Sequence, residues 1–349
     1  MNNFYQPPYS GGVPPWQSGP MYAPPTPQEE EKRHLRRDGN YIGGVLLAQT
    51  AAMNLTFIVV SLVLMLFGVI GQEQLSAEYM GLGNTVYLLM YAGMYAFAMA
   101  VPAVLVSLCC KKRHFPLTPA ASLNAWDAFF ALLGGMGLCM VANYVANYIA
   151  AFLTQFGIDM PEMPQMMEPT GESLLLNIVV LAVLPALLEE LVFRGYILRA
   201  LRPYGDTFAV CVSAVIFGLV HGNILQVPFA LLVGAVLGWL YVRTNNIWLA
   251  VAVHFCNNAF SVVLEYFALG VSEQSANVMY VVSMLTMLVV GLGAVGILAV
   301  RRSDLLRLPK QEKPALLSLG QRLSGLLKSP VLVVAVLVLL LLIVVEALL

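Results

Sequence analysis

The stretch SLLLNIVVLAVLPALLEELVFRGYILRALR, residues 173–202, decides how this chain is read. From Ser173 to Leu188 it carries no charge, and then come Glu189, Glu190 and, one helical turn on, Arg194. A bilayer core of about 30 Å needs about 20 mostly apolar residues per spanning helix. This segment is long enough to cross. Ionisable groups deep in such a helix are expensive and mark functional positions facing the bundle interior. One segment therefore predicts both a membrane-spanning helix and a polar site inside the membrane.

The rest of the chain agrees with this. Of its 349 residues, 59% are hydrophobic and 11% charged, with a mean hydropathy of +0.79. A typical soluble domain carries roughly 25% charged residues, so a soluble enzyme is excluded. The net charge of −1 offers no electrostatic footprint for nucleic acid. Eight apolar stretches are long enough to form the main body, at 44–70, 82–108, 126–155, 173–202, 206–222, 226–243, 247–268 and 278–300. The fifth is the shortest. A ninth, at 330–349, is almost uninterrupted. The expected fold is an all-α polytopic membrane protein, an eight-helix transmembrane core plus a C-terminal span. The divisions are a Pro/Tyr-rich disordered tail with a basic end (1–40), two helices and a basic loop (41–124), and the core (125–300). A basic linker with an amphipathic interfacial helix (301–329) and the last span (330–349) follow.

Charge placement orients this array. Every Lys and Arg except Arg194 falls before the first span or around the ends that follow the second, fourth, sixth and eighth. The opposite loops, 71–81, 156–172, 223–225 and 269–277, contain none. Basic loops stay cytoplasmic, which places the N-terminus of an integral, multi-pass cell-membrane protein on that side. Residues 315–328 (ALLSLGQRLSGLLK) read as the amphipathic surface helix. The first residues hold eight of the twenty prolines and no charge before Glu29, a composition that cannot bury a core. Cys109, Cys110, Cys139, Cys211 and Cys256 show no metal-ligand spacing, and read as small buried hydrophobes.

Few ionisable groups are deep. Asp127, Asp206, Glu265 and Glu346 fall near helix ends and need only an interfacial reading. Glu189, Glu190, Arg194, His221, His254 and Asn258 remain. At about 1.5 Å per residue, Glu190, His221, His254 and Asn258 lie about 18, 22, 10 and 17 Å into the membrane. Three spans thus put polar groups at overlapping depth. Glu190 and Arg194 are i, i+4 and face one another, which leaves Glu189 turned about 100° away and free for another partner. His254 and Asn258 again share a face.

Such a set suits hydrolysis: Glu and His can take a proton from water, and His and Asn can stabilise an oxyanion. Two His and a Glu (Glu189, His221, His254) can alternatively hold Zn²⁺, and residue types leave zinc and metal-free water activation equal. Polar groups can also serve only as interhelical glue. A proton-coupled transporter uses buried carboxylates too, but no second half mirrors the break at Pro185.

Three motifs then stand in order: Glu189-Glu190-Leu191-Val192-Phe193-Arg194 (EExxxR), Phe217-Gly218-Leu219-Val220-His221 (FxxxH) and His254-Phe255-Cys256-Asn257-Asn258 (HxxxN). Together they resemble the signature of the CPBP intramembrane protease family, which groups type II CAAX prenyl endopeptidases with bacteriocin-processing and immunity proteins. The resemblance covers about 125–300. It implies an intramembrane endopeptidase in which Glu189 and His221 activate water, His254 and Asn258 form the oxyanion site, and Glu190 and Arg194 orient the first carboxylate. The family is usually catalogued as metallopeptidase, and a metal-free glutamate mechanism is also argued for it, so zinc stays open. The implied partners are the bilayer and a membrane-associated or lipidated peptide or protein. A catalytically silent immunity or scaffold protein is the other outcome the resemblance allows.

Overall fold

In the computed structural model, residues 24–76, 78–109, 123–157, 168–307 and 316–348 are described. The parts of the expected tail, basic loop and linker at 1–23, 110–122 and 308–315 lie outside them, as do Cys110 and most of loop 156–172.

The described chain is helical throughout, with α1 (Pro27–Leu66), α2 (Asn84–Cys109), α3 (Ala125–Thr154) and α4 (Gly171–Tyr204). There follow α5 (Asp206–Val220), α6 (Gln226–Thr244), α7 (Ile247–Ala268), α8 (Glu273–Arg301), α9 (Leu319–Leu327) and α10 (Pro330–Leu348). Eight of these are long and apolar enough to cross a membrane. The fifth expected span, α5, is a shorter apolar helix of 15 residues. Large apolar side chains stand exposed on the outside, Leu66, Val289 and Val300 among them, the distribution of a protein whose solvent is lipid.

Two expectations need correction. The basic end of the tail is helical, not disordered: α1 starts at Pro27, where Thr26 and Glu29 form a reciprocal capping box. Leu35 and Asp38 are buried, and the Tyr204 hydroxyl donates to Asp38 at 2.8 Å, so tertiary contact holds this first stretch. Cys211 is exposed, although Cys139 is buried as expected and Cys256 lies between. On α5 the outward face is apolar anyway, so an exposed thiol there meets the same apolar surroundings as its neighbours.

Two of the end-of-helix carboxylates pair with cations. Asp127 accepts from Arg302 at 3.0 Å and Arg301 at 3.4 Å, tying α3 to α8, and Asp206 accepts from Arg202 at 2.9 Å. Mid-membrane, α3 and α8 are pressed together at two glycines: a Cβ on Gly291 would stand 2.3 Å from the Gly137 Cα. Close backbone approach of this kind is how helices associate where no hydrophobic force acts between them.

The helix α4 is not the uniform α-helix expected. Its α-helical segment Leu184–Glu190 is flanked by π-helical turns at Ile178–Val183 and Leu191–Leu198. Pro185 explains the first: it has no N–H to give the Leu181 carbonyl one turn back, and the Leu184 N–H reaches Val179 instead. Local π geometry is frequent at functional sites. Here it brackets the two glutamates.

Candidate active site

The sequence-predicted residues gather around one cavity of about 290 Å³. Its wall includes Glu189, His221, His254 and Asn258, with Asn257, Gln226, Tyr91 and Tyr95. Glu190 and Arg194 do not line it; they sit behind, 0% and 1% exposed. Adjacent glutamates on one helix point to different places, as the helical angle requires.

Behind the cavity, Arg194 Nη1 donates to Glu190 Oε1 at 2.7 Å and Nη2 to the Gly234 carbonyl at 2.9 Å. Its guanidinium lies 4.8 Å from the Phe217 ring centroid, a cation–π contact that helps to hold the charge away from water. Glu190 Oε1 also takes His254 Nδ1, at 2.9 Å. One carboxylate therefore joins α4 to α7 and, through Arg194, to α6. Burial this complete is tolerable only because the charges are paired.

The Glu190 bond fixes the His254 ring and turns Nε2 towards Glu189, whose Oε2 is 3.9 Å away. That separation is too long for a direct hydrogen bond and suits one oxygen bonded to both groups. Glu189 Oε1 is held by the Tyr95 hydroxyl at 2.5 Å, while Oε2 has no hydrogen-bond partner among the described residues. One oxygen of the carboxylate is anchored and one is unspent.

His221 ends α5, and its Nδ1 donates to the Phe217 carbonyl at 2.8 Å, one of the carbonyls a helix C-terminus leaves without a backbone partner. The FxxxH spacing thus has a mechanical meaning: it points Nε2 away from the helix. The same Phe217 stacks edge-on against Phe193 and His221, at 4.8 and 4.9 Å. Asn258 gives one amide N–H to the Leu181 carbonyl at 3.0 Å, the carbonyl that Pro185 cannot serve, and takes Asn257 Nδ2 on its Oδ1 at 3.2 Å. A second N–H of Asn258 remains for a ligand.

Tyr91 and Tyr95 are the residues that sequence reading missed. Both lie in α2, outside all three motifs, and their rings stack at 6.0 Å. Tyrosines one turn apart in an apolar span are the only signal for them. The zinc expectation for Glu189, His221 and His254 also meets the geometry here. Among the described residues no group of three or more His, Cys, Asp or Glu side chains is arranged to hold a metal ion. Each imidazole is turned by its own Nδ1 partner, His221 by Phe217 of the same helix and His254 by Glu190 of α4.

Known proteins match the segment that carries the three motifs. Residues 171–260 match the family described as type II CAAX prenyl endopeptidase Rce1-like. That segment runs from the start of α4 into α7 and carries all three motifs. A curated relative from Bacillus subtilis (strain 168), named "Putative membrane peptidase YdiL", is 36% identical over 93 residues. The alignment spans 26% of this chain and 37% of that relative. No solved structure matches the chain. Over residues 171–260 this membrane protein is thus similar to a family of prenyl endopeptidases, in line with the resemblance its motifs carry.

Proposed function

We propose that the chain is an intramembrane endopeptidase that hydrolyses a peptide bond of a membrane-associated or lipidated substrate. One observation carries the proposal: Glu189 is anchored through Oε1 by Tyr95, with Oε2 unspent and 3.9 Å from His254 Nε2, in a cavity shared with His221 and Asn258.

In the reaction a water lies between Glu189 Oε2 and His254 Nε2. Glu189 takes its proton as the oxygen attacks the carbonyl carbon, and then delivers that proton to the leaving nitrogen. The unspent Asn258 N–H donates to the developing oxyanion. His221 Nε2 faces the reacting group from the other wall. The resemblance alone pairs Glu189 with His221 and His254 with Asn258; the 3.9 Å contact favours His254 as Glu189's partner on the water. Glu190 and Arg194 act through His254, holding its ring. No step is routed through zinc, because the described side chains do not form a group that would hold it.

Substrate enters sideways from the bilayer or from the side where α4 ends in Arg199 and Arg202, since the connections on the opposite side are short. The proposed orientation has the N-terminus in the cytoplasm, from the basic-residue asymmetry. The test is a comparison of new peptide N-termini in membranes containing wild-type protein or Glu189→Gln at equal abundance. The proposal requires ends that occur only with the wild type. Identical sets would leave the cavity without a peptidase role.

A further inference from the structure

The turn between α5 and α6 carries two residues of the cavity wall, His221 and Gln226. It is built around Gly222, whose φ of +73° is a conformation few other residues adopt readily, and around Asn223. The Asn223 Oδ1 accepts the backbone N–H of Leu225 at 2.9 Å and of Gln226 at 3.2 Å, closing the start of α6. Its amide N–H donates at 2.6 Å to Glu346 Oε1, 123 residues on in the chain. Sequence reading gives Glu346 only an interfacial role at a helix end. The structure corrects this. The helix α10 lies outside the family-matching segment, yet Leu339 and Leu342 of α10 line a second cavity with Val220 and Gly222. That cavity shares Tyr91 and Tyr95 with the catalytic one. The C-terminal helix therefore meets the His221 turn by apolar packing and by one polar bond.

We propose that Glu346 is a positioning residue of the active site: by holding the Asn223 amide it fixes the turn that sets His221 and Gln226, and α10 is a working part of the catalytic unit. An Asn side chain that must cap two backbone amides can point either way about its own axis. An acceptor on its N–H side selects the one orientation that keeps Oδ1 on Leu225 and Gln226. A carboxylate suits this because it accepts only, and because a charge-assisted bond exceeds a neutral one. The catalytic meaning rests on the peptidase reading, while the latch itself does not.

Hydrogen–deuterium exchange of the full chain in detergent micelles, followed over peptides covering 219–230, tests the latch without needing a substrate. In Glu346→Ala the Leu225 and Gln226 amides should exchange about fivefold faster, the factor that one ordinary hydrogen bond carries. Glu346→Gln should retain most of that protection, because its amide oxygen accepts the same bond in neutral form. Val344→Ala, two residues away on an exposed part of α10, should change nothing. On a cleaved peptide, Glu346→Ala should lower kcat with KM unchanged, and Glu346→Gln should restore it. Unchanged exchange in Glu346→Ala, or equal loosening by Val344→Ala, would overturn the proposal. A wild-type chain that cleaves nothing, with the turn still loosened by Glu346→Ala, supports the latch and counts against the peptidase reading instead.

Discussion

Neighbouring glutamates in this chain have opposite surroundings, and that difference separates their roles. Glu190 is paired with Arg194 and His254 in a fully buried setting. Glu190→Gln leaves Arg194 an uncompensated buried cation, a loss of about 3–5 kcal/mol, read as a lower melting temperature in detergent. Glu190→Gln combined with Arg194→Met should recover more stability than either single change, since coupled partners are non-additive. Tyr95 holds Glu189 by a bond to a carboxylate, worth about 1.5–3 kcal/mol. Tyr95→Phe should therefore lower kcat by about tenfold or more, with a fall in melting temperature of only a few degrees. The six motif residues were legible in the sequence because i, i+4 spacing and depth in a helix are both read by counting. Tyr95 was not legible, because its role depends on which way α2 rotates against α4, and no residue within α2 encodes that.

At the scale of elements, membrane spans announce themselves by length and hydropathy, while their internal irregularities do not. The nine apolar stretches all became helices, and even the short fifth one did. The π turns in α4 are not legible in the sequence: Pro185 shows that the ladder must break, but whether it kinks or widens is decided by tertiary partners such as Asn258 on the Leu181 carbonyl. The capped start of α1 was in principle readable, because Thr26 and Glu29 have capping-box spacing ahead of the apolar run. The prolines before it weighed the other way. A prediction belongs to the α3–α8 pair. Gly291→Leu puts a side chain where the Gly137 backbone already lies, so it should sharply lower folded yield, measured as the monodisperse fraction on size exclusion. Gly293→Leu, at a position where an added Cβ would meet nothing within 4 Å, should not.

For the whole molecule, the sidedness of the basic residues sets the orientation expected in the bilayer. In a chain with its five cysteines replaced by alanine, Cys at Gln74 should react with an impermeant reagent from outside intact cells. Cys at Lys112 should react only after lysis. Labelling at position 112 alone would reverse the orientation. The cavity beside Glu189 draws on α2, α4, α5, α6 and α7, so the matched segment 171–260, which leaves out α2, does not hold all of its wall. As no three described side chains form a metal-holding group, extensive chelation should leave turnover intact, and loss restored by Zn²⁺ would bring the zinc reading back. The proposed role of Glu189, in an otherwise undisturbed fold, is that of the base that activates water. Its most direct measurement is turnover of a cleaved peptide by purified wild type, Glu189→Gln and Glu190→Gln, with melting curves taken in the same micelles. Glu189→Gln should melt like the wild type and show no turnover, because an amide cannot accept the proton. A Glu189→Gln protein that cleaves at the wild-type rate, beside a stable and inactive Glu190→Gln, would contradict it.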